Sequence, residues 1–196
     1  MSRSAAIVIH DNYTDAEFLV AYHFLKAYDF DVVVFSLNGG PVKGVNGWVH
    51  KTTDRFGQIT HVVGDNVLFT SKHLGDSPVL VLIGGVRSIE YLRQSRPLIE
   101  WIREHDAQNK LIASACHAAS LLIEANIVRG RKILGYYSIK TDLLNAGAIW
   151  PDGETVVIDG NICSTPHYDF TGIWMRAVIE EWGRRNEWQS NQWSMK

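Results

Sequence analysis

Leu111-Ile112-Ala113-Ser114-Ala115-Cys116-His117-Ala118-Ala119 changes character at its midpoint. The first five residues read as a short strand, and the apolar stretch 117–125 reads as a helix, with Cys116 at the junction. A side chain held where a buried strand turns sharply into a helix stands above the sheet, with the free N–H groups of the helix pointing at it. That placement predicts a thiol of lowered pKa. The small neighbours Ser114, Ala115, Ala118 and Ala119 permit the tight packing such an elbow needs.

Outward from this junction the chain alternates strands and helices. Val79-Leu80-Val81-Leu82-Ile83 reads as a strand covered on both faces, ended by Gly84-Gly85, and a helix over 97–104 follows with Leu98, Ile99 and Ile102 inward. At the N-terminal end, Ala5-Ala6-Ile7-Val8-Ile9 and Asp31-Val32-Val33-Val34-Phe35-Ser36 are strands. They flank a helix over 15–28, whose Phe18, Leu19, Tyr22 and Leu25 recur at helical spacing behind the first-turn acids Asp15 and Glu17. The glycine-punctuated stretch 37–76 reads as a hairpin excursion. The remainder predicts a helix over 139–145, strands over 156–158 and 162–164, and a helix over 169–182. This order is that of a doubly wound, mostly parallel α/β sheet with helices on both faces.

At 196 residues the chain is expected to form one domain over 1–196, with 183–196 a polar tail carrying Trp188 and Trp193. A formal charge of −2 with 20% charged residues argues against nucleic acid as a partner. Two cysteines, Cys116 and Cys163, make a disulfide framework an unsuitable reading and favour a reducing compartment. No secretory pattern opens the sequence and no apolar run approaches the ~20 residues of a membrane span, so the expected location is cytoplasmic, with no membrane contact. The histidines lack ligand spacing, so no metal site is predicted. Gly84-Gly85-Val86-Arg87 is not a phosphate-binding loop.

A lone cysteine is more often a small buried hydrophobe than a nucleophile. Here an adjacent histidine, the strand-to-helix junction and the glycines ending a neighbouring strand coincide, at the carboxyl ends of parallel strands where pockets form. Backbone N–H groups of Gly85 and His117 lie at the strand ends where an oxyanion would need donors.

Ser114-Ala115-Cys116-His117-Ala118-Ala119, Gly130-Arg131-Lys132, Asp142-Leu143-Leu144-Asn145-Ala146-Gly147-Ala148-Ile149-Trp150 and Val157-Ile158-Asp159-Gly160-Asn161 resemble the ThiJ/PfpI superfamily. Leu82-Ile83-Gly84-Gly85 and Asp15-Ala16-Glu17 match in order and spacing, so the resemblance runs to about Trp182. It implies a flavodoxin-like three-layer α/β/α sandwich related to the class I glutamine amidotransferase fold, assembled as a homodimer or higher homo-oligomer.

It also implies roles. Cys116 takes the nucleophile position, His117 that of the histidine following it, and Glu17 that of an acid approaching the sulfur from the first helix. Glu90 resembles a glutamate that some branches supply from a neighbouring subunit, displaced by one residue, and reads equally as an exposed helix residue paired with Arg93 or Arg87. Gly84 and Gly85 fall at the pocket and oxyanion positions. His167, in Ser164-Thr165-Pro166-His167, replaces a segment where many relatives carry arginine, and is a candidate to line the pocket.

The expected activity is that of a cysteine-dependent enzyme without cofactor acting on small reactive carbonyls, glyoxalase- or deglycase-like. The alternatives are a cysteine peptidase or amidohydrolase acting on peptide or amide substrates, and a non-catalytic redox-sensing or chaperone-like stress protein.

Overall fold

Strand residues alternate between two apolar layers, and that alternation builds the molecule. The computed structural model describes residues 3–37, 42–47, 49–50 and 77–186. In chain order these form β1 (Ser4–Val8), α1 (Asp15–Ala27), β2 (Asp31–Phe35), the short antiparallel pair β3 (Val42–Lys43) and β4 (Val49–His50), and β5 (Val79–Leu82). They continue with α2 (Val86–Leu92), α3 (Arg96–Ala107), β6 (Leu111–Ala115), α4 (Ala119–Glu124), α5 (Lys140–Asn145), β7 (Val157–Asp159), β8 (Ile162–Thr165) and α6 (Thr171–Arg185).

The six-stranded sheet runs β2-β1-β5-β6-β8-β7, parallel throughout except for β7 against β8. Ala5, Ile7, Val79, Val81, Leu111 and Ala113 face a cluster with Phe18 and Leu25 of α1 and Trp174, Met175 and Val178 of α6. Their neighbours Ala6, Val8, Leu80, Leu82 and Ile112 face the opposite cluster, with Leu92, Leu98, Ile102, Leu122 and Leu143 of α2 to α5. A period of two with both phases apolar is what a sheet covered on both faces requires. The flavodoxin-like α/β/α sandwich is therefore the observed fold.

From β1 the chain winds to β2 on one side, and β5 then enters on the other. The reversal opens a crevice at the carboxyl ends of β1 and β5, where doubly wound sheets place their sites.

The structure departs from the sequence reading at element ends. Helix α2, on which Glu90 lies, has no periodic signal to give it bounds: its seven residues span about two turns and bury only Ser88, Ile89 and Leu92. The helix expected over 117–125 opens as a tight 3-10 turn, Cys116–Ala118, and becomes α-helical only at Ala119. The helix expected over 169–182 begins two residues later and runs further. Helix α6 continues through Arg185, with Gly183 buried and buried Glu181 bonded to both Arg184 and Arg185. Of the excursion read over 37–76, the β3–β4 pair is described; 51–76, and Trp188 and Trp193 of the tail, lie outside the described residues. Among the described residues no helix is long and apolar enough to cross a membrane.

Trp174 is fully buried under the sheet, its Nε1–H donating to the Cys163 carbonyl at 3.1 Å. Trp174→Ala is expected to cost roughly 3–5 kcal/mol in chemical denaturation, the range for emptying an aromatic core position. A loss below about 1 kcal/mol would show that α6 does not anchor this layer.

Candidate active site

Cys116 leaves β6 with φ at +58°, a left-handed conformation that costs a non-glycine residue roughly 1–3 kcal/mol and is held only by its surroundings. Those surroundings are close. The Tyr136 N–H donates to the Cys116 carbonyl at 3.0 Å, and Ala115, Ala118 and Ala119 beside it are buried with no exposed surface. The turn lifts the sulfur to the crevice end of the sheet while leaving the residue only 5% exposed.

Two glycines let the neighbouring strand end approach. A Cβ on Gly84 would lie 2.7 Å from the Cys116 Cβ and 2.8 Å from Glu17 Oε2, so any side chain there would push the two acids apart. Gly85 has φ at +113° and would meet the Asn12 carbonyl at contact too short for any Cβ. It opens α2, and its N–H and that of His117 both point at the Cys116 sulfur. These are the two donors expected for an oxyanion, and here they are aimed at the sulfur.

Glu17 comes from the first turn of α1 and is completely buried. Its Oε2 accepts the Gly84 N–H at 2.7 Å, and its carboxyl faces the Cys116 sulfur closely enough for the two to share a hydrogen bond. Among the described residues no N–H or O–H donates to Oε1, so an ionised carboxylate would leave one buried oxygen uncompensated. Burial accordingly pushes the Glu17 pKa up to about 7, against the pull of the Gly84 N–H and the thiol.

The thiol does not have the lowered pKa that the strand-to-helix junction predicts. The helix-end N–H groups do favour the thiolate, but burial pushes the pKa up, and the charge of an ionised Glu17 pushes it further. The pair carries one negative charge more readily than two. With the proton on Glu17, the repulsion disappears and the carboxyl O–H can donate to the thiolate.

His117 follows the sulfur and turns back to it: Nδ1 lies 3.3 Å from Sγ. Its Nε2 is 3.2 Å from Ser138 Oγ, and its ring stacks on Tyr136 with centroids 4.5 Å apart. Burial lowers its pKa from the ordinary histidine value, partly offset by the charge of Glu90. Tyr136 and Ser138 escaped the sequence reading, because nothing in a loop twenty residues downstream marks a return to Cys116.

Cys116, His117, Glu17, Gly84 and Gly85 thus meet at one point. This chain's own Glu90 stands apart from them. Its side chain is 59% exposed and its Oε1 pairs with Arg93 Nη1 at 3.2 Å, while Arg93 also binds Glu124. His167 stands one layer out, its ring stacked at 5.9 Å from that of Tyr136 and its Nδ1 3.2 Å from Asp169 Oδ2. Cys163 is fully buried within β8, as an interior strand residue should be.

A buried cysteine at a strand-to-helix turn, flanked by a histidine and a buried carboxyl, defines a thiol-centred site at the carboxyl ends of the strands of a flavodoxin-like sandwich. The DJ-1/PfpI family model matches residues 3–181, and the chain belongs to that family. A deglycase of Pyrococcus abyssi is 32% identical over 174 residues, covering 89% of this chain and 96% of the relative. Protein/nucleic acid deglycase 2 of Escherichia coli is 31% identical over 159 residues, covering 80% and 84%. The crystal structure of Drosophila melanogaster DJ-1beta superposes with a TM-score of 0.80 at 24% identity, covering 92% of this chain and 90% of that one, a likeness of fold.

The raised Glu17 pKa has a thermodynamic signature. The folded chain keeps this proton from the ordinary carboxyl value of 4.5 up to about 7, whereas the unfolded chain has lost it. Stability from this group is therefore present below pH 4.5 and lost as pH rises to 7. Glu17→Gln, which cannot ionise, should gain on wild type across that window by an amount on the order of 3 kcal/mol. Urea denaturation of both proteins from pH 4.5 to 8 measures it, and parallel curves would disprove the shift.

Proposed function

We propose that this chain is a cysteine-dependent enzyme, needing no cofactor, that acts on small reactive carbonyls or their adducts through the Cys116 thiolate. The observation that carries this reading is the Glu17 carboxyl: buried against the sulfur, with a pKa of about 7, it can hold or release a proton at neutral pH beside the reacting atoms. The two relatives named as deglycases support the same reading.

In this mechanism the thiolate adds to the aldehyde carbon of a 2-oxoaldehyde. The new C–S bond forms as the carbonyl π pair moves to oxygen, and the N–H groups of Gly85 and His117, which point at the sulfur, turn to receive the charge. Proton transfer from that carbon to the adjacent one, through Glu17 or His117, converts the hemithioacetal to a thioester. Water then cleaves the thioester, releasing the hydroxy acid and the thiol. The substrate's aldehyde carbon is oxidised and its ketone carbon reduced, so no external redox partner enters.

A second reading has its own observation, the 3.3 Å contact of Cys116 Sγ with His117 Nδ1. A thiol–imidazole pair is sufficient for amide hydrolysis through an acyl-enzyme, with no demand on a buried acid.

Methylglyoxal should yield lactate in the absence of added cofactor, with no product from Cys116→Ser. Glu17→Gln should lower kcat by about 10²–10⁴-fold, the usual worth of a positioned acid or base. Full activity in either variant would remove the carbonyl mechanism. Release of amine from amide substrates with an unaffected Glu17→Gln would favour hydrolysis instead.

A further inference from the structure

Beyond the sulfur and the Glu17 carboxyl, the structure holds a hydrogen-bonded line that ends at solvent. We infer that Ser138 is the outer member of a proton relay running Cys116 Sγ, His117 Nδ1, His117 Nε2, Ser138 Oγ and water, and that it positions the imidazole from within the same chain. The inference rests on the carbonyl reading above for its kinetic test.

The heavy-atom contacts are 3.3 Å from Sγ to Nδ1 and 3.2 Å from Nε2 to Oγ. Ser138 is exposed, whereas Cys116 is buried, so the line connects the interior thiol to bulk water. Its placement is fixed from both sides. The Tyr136 N–H is bonded to the Cys116 carbonyl, and Ile139, buried in the apolar core, donates its N–H back to the Tyr136 carbonyl at 3.0 Å. The 3-10 turn Tyr137–Ile139 therefore carries Ser138 at a set distance from the nucleophile, and the Tyr136 ring holds the imidazole plane.

The choice of a hydroxyl has a chemical consequence. A carboxylate on Nε2 would accept only, fixing Nε2–H and favouring the imidazolium. Serine can accept from Nε2–H or donate to bare Nε2, so both neutral tautomers are held. In the forward step the S–H bond breaks and its proton goes to Nδ1. Nε2 passes its own proton to Oγ, and the serine proton leaves to water. The products are a thiolate facing Nδ1–H and one hydronium ion, with His117 neutral before and after. Return of a proton along the same line protonates the thiolate when product leaves. The charge bearing on this ring is that of Glu90 on α2, shared with Arg93 and through it with Glu124; Glu17 lies across the sulfur and His167 beyond Tyr136.

The test compares wild type, Ser138→Ala and Ser138→Thr in the full-length protein. For Ser138→Ala, kcat on methylglyoxal should fall about tenfold with KM within twofold, and imidazole buffer should restore kcat in a concentration-dependent way while leaving wild type unchanged. Ser138→Thr should keep wild-type kcat. A structural role alone would not respond to buffer. Wild-type kcat in Ser138→Ala, or a loss that neither threonine nor imidazole reverses, overturns the relay. If wild type turns over no carbonyl, the functional reading has failed and the relay is read from the pH dependence of Cys116 alkylation by iodoacetamide. There Ser138→Ala should move the midpoint by at least about half a pH unit, with Ser138→Thr unmoved; coincident profiles overturn the inference independently of turnover.

Discussion

One negative charge on two buried acids is the constraint to which the rest of this structure answers. Glu17 is wholly enclosed and Cys116 nearly so, and they face each other in a medium that cannot solvate two charges. Burial raises the proton affinity of both, Glu17 raises that of the sulfur further, and the compensation among the described residues is sparse: one N–H on the carboxylate, two on the sulfur. The pair is best described as a site with a single proton to place. With that proton on oxygen, the carboxyl O–H can donate to the sulfur as a thiolate.

The fold keeps these atoms together against their tendency to separate. Three chain segments converge: the first turn of α1, the end of β5 and the turn after β6. Their convergence depends on the parallel register of β1, β5 and β6, which sets the strand ends level, and on the absence of a side chain at Gly84. The left-handed backbone of Cys116 is held by the same packing, with its carbonyl bonded to Tyr136. Stability in the two apolar layers thus sustains a locally unfavourable conformation and a buried acid, as functional sites commonly require.

Much of this was legible in the sequence because burial on both faces writes a distinctive signal. Val79 to Ile83 and Leu111 to Ala115 have no polar phase, which marks central strands, and a lone cysteine directly after such a strand marks an elbow. Other features leave no such trace. Glu17 in a first helical turn has the same local pattern whether it faces water or a sulfur, and only family resemblance drew attention to it. The direction of the thiol's pKa depends on enclosure and on Glu17 together, neither of which is a local property, so the helix-end argument alone gave the wrong sign. Helix α2 is too short to be periodic, and Ser138 reaches His117 only because a loop closes over α4.

His117 completes the charge argument. Were it an imidazolium, it would neutralise the thiolate, and Glu17 would be free to ionise as well. Its surroundings oppose this: burial lowers its pKa, and the group on Nε2 is a hydroxyl and not a carboxylate. Glu90, the acid whose field favours the cation, is exposed and divided with Arg93. A neutral imidazole donates or accepts without altering the net charge of the site, so the count of one is preserved through proton movement. That leaves the Glu17–Cys116 pair with one proton to share between oxygen and sulfur, burial raising the proton affinity of both. The neutral partner at Nε2 and the raised pKa of the buried acid are thus two expressions of the same restriction on charge.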